Sequence, residues 1–285
     1  MLNAVTNLSQ FFSTHPLTRD APLRAWARFA SWQVKSRIQD EVLVPWIAGQ
    51  RLAVRHGMTG ATGNIYVGLH EFGDMMVPLH FLREGDLFLD IGANIGSYTI
   101  LASGVCRAAT WAFEPDPNTM RNLKRNIALN ELGGLVTVHE CALGPTQGEV
   151  PFTDGLDCVN KVASAGDTNV RIVRQEQLDT LIGASQPIMI KMDVEGYEED
   201  VLRGAQALLA NPCLKVIELE TVTPEINQMM IRNQFERAYY NPFSRRLGRE
   251  PIDLQSSNSL FIRDWPVVEA RLATAKKIEI LGHSI

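Results

Sequence analysis

Two alternating patterns of apolar positions run through this chain. Short apolar runs end in acidic residues, and longer stretches repeat their apolar positions every three to four residues. The clearest run is Leu87-Phe88-Leu89-Asp90-Ile91-Gly92-Ala93-Asn94-Ile95-Gly96, followed by Ser97 to Ala102 with helical character. Apolar residues ending at an acid, then two glycines four apart, then a helix, predict a buried parallel strand, a tight turn and a helix whose first amides face that turn. Beyond it the pattern predicts a helix over 97–105, a strand over 110–114, a helix over 117–131 and a strand over 135–141. A helix over 175–183, a strand over 188–193, a helix over 197–210 and a strand over 214–220 follow. Alternation with short connections predicts a doubly wound α/β fold, a mostly parallel sheet covered by helices on both faces.

Upstream, residues 1–20 are mixed and are expected to wrap the surface. From Pro22, Leu23, Trp26, Phe29 or Ala30, Val34, Ile38 and Val42 recur at helical spacing until Pro45, which predicts one long amphipathic helix. Its polar face carries Arg24, Arg28, Lys35 and Arg37. Residues 22–44 could therefore make a peripheral contact with an anionic membrane surface, although packing on the main domain or on a partner is the simpler reading. The runs 51–55 and 64–69 suggest a β-hairpin, and 72–83 a helix despite Pro78. The polar excursion 144–174 is expected to form a lid or substrate wall. A helix over 224–239, an Arg-rich loop (Arg245, Arg246, Arg249) and a strand over 259–263 that closes the sheet complete the chain. The domain division expected is an N-terminal helical extension at residues 1–50 and a main domain at 51–285, the fold being preceded by a helical and β-hairpin extension.

Composition narrows the partners. The formal charge is −5, from 27 basic and 32 acidic residues, which lacks the basic footprint of a nucleic-acid binder. Cys106, Cys141, Cys158 and Cys213 show neither zinc-ligand nor disulfide-framework spacing, as expected in a reducing compartment. With neither a signal-peptide pattern nor a membrane-length apolar run, the expected location is cytoplasmic.

The candidate chemistry sits at the strand ends, where open α/β sheets bind their ligands. These are Asp90 with Gly92, Asn94 and Gly96; Glu114-Pro115-Asp116; His139-Glu140-Cys141-Ala142; Lys191-Met192-Asp193-Val194-Glu195-Gly196; and Glu218-Leu219-Glu220. The turn lacks both the G-x-G-x-x-G of dinucleotide sites and the Lys-Ser/Thr of a triphosphate loop. Glu114, at the second strand tip, is placed to accept hydrogen bonds from both hydroxyls of a ribose. A ribonucleoside with a zwitterionic tail and no phosphate fits this pattern, and S-adenosylmethionine meets that description.

The chain resembles the FkbM family of S-adenosylmethionine-dependent methyltransferases. The likeness is carried by Asp90 to Gly96, Ala112-Phe113-Glu114-Pro115, Asn126 to Asn130, Ala142-Leu143-Gly144, Leu178-Asp179, Lys191 to Gly196 and Asn258-Ser259-Leu260-Phe261, across about residues 64–263. It implies a class I methyltransferase, Rossmann-like, with a mostly parallel seven-stranded sheet. The activity implied is O-methylation of a sugar, glycan or secondary-metabolite hydroxyl. Carried over by position, Asp90, Gly92, Asn94 and Gly96 face the methionine part, Glu114 the ribose, and Glu140, Cys141 and Ala142 the adenine edge, with Ala93 and Pro115 also in the cofactor site. Glu71 resembles an acidic position kept near the cofactor.

Asp193 is the candidate base or acceptor-orienting group, and it also lies in the cofactor site. An unshifted aspartate is a weak match for an alcohol, so the role asks for tuning by its surroundings. Glu195 is either catalytic or a carboxylate placed at the next helix start. A divalent cation held by Asp193 with Glu218 or Glu220 is the alternative, and no metal ligand is assigned. His70, His80 and His139 are further candidate bases, each more readily explained as a hydrogen-bonded structural residue. Tyr240-Asn241-Pro242-Phe243 lacks the second proline of the amino-methyltransferase signature and follows the fifth strand, so it is not read as a site. The competing functions are methylation of RNA or protein, and a non-catalytic S-adenosylmethionine-binding module. The oligomeric state is not specified by the sequence.

Overall fold

In the main sheet side chains alternate between faces, so a strand buried on both sides must be apolar throughout unless a charge is deliberately paired. The run around Asp90 obeys this rule. In the computed structural model, which describes residues 2–155, 160–164, 166–252 and 256–285, Phe88 and Asp90 point to one face, and Leu89 and Ile91 lie in the cluster on the other. The strands of the main sheet are β1 Leu87–Ile91, β2 Ala109–Phe113, β3 Val136–His139, β4 Met189–Met192, β5 Val216–Leu219, β6 Glu236–Asn241, β7 Arg246–Gly248 and β8 Ser259–Ile262. Their spatial order is β3-β2-β1-β4-β5-β8-β6-β7. The first five are parallel, and β8 runs antiparallel between β5 and β6. The strand order reverses between β1 and β4, so the crevice at their C-terminal ends is where a ligand is held in such a sheet.

Before β1, among the described residues, come four α-helices: α1 Leu2–Thr14, α2 Pro22–Ile38, α3 Thr59–Val67 and α4 Phe72–Phe81. Phe12, Ala25, Trp32 and Tyr66 pack with Ile95, Ala112 and Leu123 in a single cluster, so the N-terminal helices cover the flank of the β1 turn and β2. α4 packs on the opposite face of the core, together with Phe88, Tyr98, Met189 and Val216. The excursion after β3 forms a small separate sheet. In it Gly148–Thr153 pairs antiparallel with Val170–Glu176, and Ala142–Leu143 pairs parallel with the latter. Phe152 hangs from this sheet over the cleft.

Several local expectations change. Residues 51–54 do form a strand, but it pairs with Val42–Pro45, while the proposed second hairpin arm at 64–69 falls largely in α3. Gly60 and Gly63 obscured that helix by lowering its propensity, and tertiary packing overrides them. The helix expected to reach Pro45 stops at Ile38 because Val42 turns into the strand opposite Val54. The 97–105 helix is α-helical only to Ile100 and continues as a π-turn over Leu101–Val105. The 175–183 helix begins at Leu178, since its first residues complete a strand. The 197–210 helix is split at Gly204. The 224–239 helix ends at Arg232 and gives way to β6, where Tyr239 and Tyr240 have strand character. β8 sits inside the sheet, and the Arg-rich loop contributes β7, an eighth and three-residue edge strand. Cys106, Cys141 and Cys213 are free thiols; Cys158 lies outside the described residues. Among the described residues no helix is long and apolar enough to cross a membrane.

Candidate active site

The turn after β1 is held against the turn after β4 by backbone contact. Gly92 has φ of +76°, and a Cβ there would lie 1.8 Å from the carbonyl oxygen of Asp193, so only glycine permits both the conformation and the approach. The Gly92 and Ala93 amides both donate to the Phe113 carbonyl. Asn94, at φ +52°, uses its Oδ1 to accept from the Ile95 amide. Gly96, also left-handed, starts the following helix and leaves room for Leu123, whose Cδ1 would be 2.6 Å from an added Cβ.

Glu114 is the floor of the crevice. Its Oε2 accepts from the Asn94 amide at 3.0 Å and its Oε1 from the Asp116 amide at 2.8 Å. Burial pushes the carboxyl up to about 7, against the pull of those two amides. A carboxylate has roughly four acceptor directions, so two remain for hydroxyls. Asp116 is spent on capping the next helix through the Asn118 and Thr119 amides. A small cavity of about 60 Å³ runs from Asn94 and Glu114 to Asp193 and Glu195, with Phe152 on its wall. A second, of about 30 Å³, is lined by Pro115, Cys141, Ala142 and Phe152.

Beneath the turn lies a buried charged rung. Asp90, Lys191 and Glu218 are register neighbours across β1, β4 and β5, and all three are buried. Lys191 Nζ donates to Asp193 Oδ2 at 2.7 Å and sits 4.7 Å from the centre of the Tyr98 ring. Burial lowers its affinity for a proton, but Asp193, Glu71 and Asp90 outweigh that and hold it above the usual lysine range. Asp90 accepts from Thr99 Oγ1 at 2.5 Å, while its Oδ1 is buried without a partner. Burial, only partly countered by Lys191, raises its carboxyl. Glu218 is raised much further by complete burial and by Asp74. Asp74, pushed up to about 6 chiefly by burial, holds the turn before β8 through the Ser256 hydroxyl and the Ser257 amide.

Around the β4 tip, Asp193, Glu195 and Glu220 each offer an oxygen, all within 4.8 Å of one another. Lys191 overcomes burial to hold Asp193 below the ordinary aspartate value, whereas burial and the Asp193 charge raise Glu220. The proton of that pair therefore resides on Glu220. Because Lys191 already supplies the counter-charge to Asp193, a cation is not assigned to the trio. Glu195 itself sits at φ +54°. The first helical turn instead holds Glu198, whose Oε1 accepts from the Val194 and Gly196 amides of the preceding turn.

The structure thus brings Gly92, Asn94, Glu114, Pro115, Asp193 and Glu195 onto one cavity wall and Cys141 and Ala142 onto the next. Asp90, Ala93 and Gly96 support the turn from below. Glu71 accepts from the Tyr98 hydroxyl at 2.8 Å, behind the turn and facing Lys191. Glu140 turns to the surface and pairs with Lys124, outside both cavities. His80 is buried against the Tyr240 hydroxyl, His139 stacks on Phe113, and His70 packs edge-on to Phe11; none of the three lines either cavity. Sequence reasoning passed over Asp74, Tyr98, the pairing of Lys191 with Asp193, and Phe152. For Lys191 the signal was available, since a lysine inside an apolar strand requires buried partners.

The sheet order, the Gly-supported turn and the acidic β2 and β4 tips define a class I, Rossmann-like methyltransferase fold. The methyltransferase FkbM domain model matches residues 90–242, and the chain belongs to that family. Hexuronic acid methyltransferase AglP of Haloferax volcanii is 28% identical over 140 residues, covering 48% of this chain and 57% of that protein. Methyltransferase sdnD of Sordaria araneosa is 24% identical over 205 residues, covering 58% and 79%. The chain thus spans little more than half the length of the first of these. The FkbM methyltransferase structure from Methylobacillus flagellatus aligns with 17% identity and a TM-score of 0.44, over 65% of this chain and 48% of that one.

Proposed function

We propose that the chain is an S-adenosylmethionine-dependent O-methyltransferase acting on a hydroxyl of a sugar, glycan or comparable small molecule. In this reading residues 51–285 form the catalytic domain and residues 1–50 an extension carried on it. The observation that carries it is a single cavity with Glu114 at one end and the Lys191-paired Asp193 at the other. The residues fit the cofactor. Glu114 retains free acceptor directions for a ribose, Cys141 and Ala142 offer an apolar slot for adenine, and Gly92 and Asn94 line the space between. The two cavities are smaller than a nucleoside. Gly92, Pro115, Phe152 and Val194 border both, so the two lie side by side along one wall.

When bound, S-adenosylmethionine supplies an electrophilic methyl group. The chain's part is alignment and proton handling. Asp193, kept ionised by Lys191, accepts a hydrogen bond from the acceptor hydroxyl and orients its lone pair. A hydroxyl oxygen becomes strongly acidic as its new bond forms, so a carboxylate of low basicity can receive the proton. The name of the Haloferax relative supports a sugar acceptor, and the acidic overall charge counts against RNA. Isothermal titration with S-adenosylhomocysteine tests the cofactor half. Transfer of labelled methyl to uronic-acid glycans, neutral glycans and RNA tests the acceptor half, and labelling of RNA alone would overturn it.

A further inference from the structure

The apolar positions of α2 do not form one stripe. Trp26 and Phe29 turn inward, edge-on to Phe12 and Tyr66, with Ala25 and Trp32 buried between them. Leu23, Val34 and Ile38 face the other way and are 81%, 59% and 77% exposed. At 100° per residue they share one side of the helix with Ala27 and Ala30, which are also exposed. Arg24 and Lys35 flank this second stripe on one side and Arg37 on the other. Within its 17 residues α2 carries four cations and no carboxylate, in a chain whose formal charge is −5. Beside the stripe opens a groove of about 450 Å³ whose walls include Ala27, Leu43, Trp46, Ile65 and Leu281, with Lys35 at its side.

We propose that this face of α2 is a docking surface for an anionic lipid bilayer, with the helix lying in the plane of the interface and Leu23, Val34 and Ile38 inserted among the headgroups. A second copy of the chain fits the surface less well. A two-fold contact along this stripe would bring the Arg24, Lys35 and Arg37 side chains of one copy against those of the other. A bilayer of acidic lipids instead meets each cation with a phosphate or carboxylate while receiving the apolar stripe. The inference is independent of the methyltransferase reading, since none of these residues lines the cofactor cleft.

The test is co-sedimentation of the full chain with vesicles of phosphatidylcholine alone and of phosphatidylcholine with phosphatidylserine, at low and high salt. Binding is expected only with phosphatidylserine and should fall as salt rises. Leu23→Ser with Ile38→Ser, and separately Arg24→Gln with Lys35→Gln, should each weaken it about tenfold or more. The substituted side chains are exposed, so circular dichroism melting curves should match the parent's. Absence of binding to the acidic vesicles, equal binding to both vesicle types, or binding unchanged in both variants would overturn the proposal. So would a dimer, seen by light scattering, that the serine variant dissociates.

Discussion

Replacing Glu114 with Gln separates the role of its charge from that of its shape. The wild-type carboxyl titrates at about 7 because it is buried, so its ionised share rises from ~10% at pH 6 to ~90% at pH 8. Cofactor affinity that depends on the carboxylate should therefore strengthen about ninefold across that range. In Glu114→Gln the oxygen can still serve one of the amides of Asn94 and Asp116, but the NH₂ group confronts the other. The variant exchanges two charge-assisted bonds to the ribose for neutral ones, a loss on the order of 1 kcal/mol each, so binding at pH 8 should weaken by ~10- to 100-fold. The pH slope attributable to residue 114 should disappear as well. Titration calorimetry with S-adenosylhomocysteine at pH 6, 7 and 8 measures both quantities, and any ionisation of the ligand is common to the two proteins and cancels in their ratio. An unchanged Kd, or the same ninefold slope in both proteins, would place the ribose elsewhere.

Asp193→Asn should abolish turnover while leaving S-adenosylhomocysteine binding nearly intact. It should also lower the melting temperature, because Lys191 loses its closest counter-charge and a stranded buried partner costs ~1–3 kcal/mol; near-normal turnover would remove Asp193 from the chemistry. Gly92→Ala adds a Cβ where the Asp193 carbonyl already lies 1.8 Å away. The two turns must separate, and calorimetry should find cofactor binding lost even where circular dichroism shows a folded protein. His15 is buried neutral, with Nε2–H donating to the Leu69 carbonyl and Nδ1 accepting from the Leu17 amide, and burial lowers it to about 4. Because the unfolded chain takes up this proton below about 6.5, stability that is fully present above that pH is lost as the pH falls toward 4, on the order of 3 kcal/mol from this group. His15→Gln should flatten that limb of the stability curve measured by urea unfolding. Arg263 donates to the carbonyls of Leu209, Asn211, Leu214 and Asn233 and lies over Phe235. A lysine cannot reproduce that fork, and Arg263→Lys should cost ~2 kcal/mol or more in the same assay.

The parallel half of the fold is legible in the sequence because β1, β2, β4 and β5 are apolar runs that end in acids. Their C-terminal tips carry Gly92, Asn94, Glu114 and Asp193, which line one wall. The C-terminal half was harder to read. Tyr239 and Tyr240 extend a helical spacing from Pro224, and only the pairing of β6 with β8 decides for strand. Glu140 misled because a residue beside a strand tip can turn either way, and Lys124 on the neighbouring helix draws it outward. The α2 stripe blurred for a related reason, since Leu23, Trp26 and Val34 share a spacing but not a burial. The rung of Asp90, Lys191 and Glu218 depends on register between separate strands, β1 and β4 lying about 100 residues apart in the chain, which periodicity within a single strand does not encode.

The position of β8 governs how this chain can be made. It lies between β5 and β6, and its flanking turn is held by Asp74 from α4. The His283 ring bonds the Leu17 carbonyl, and the Ile278 and Ile285 backbones pair beside it. During synthesis the N-terminal helices and five parallel strands emerge first, with the β5 edge open and the Asp74 carboxyl without its capped turn. Only when β8 has left the ribosome can that edge be sealed, so closure of the sheet follows assembly of the parallel half. Until then the nascent chain exposes a sheet edge capable of pairing with a neighbour's.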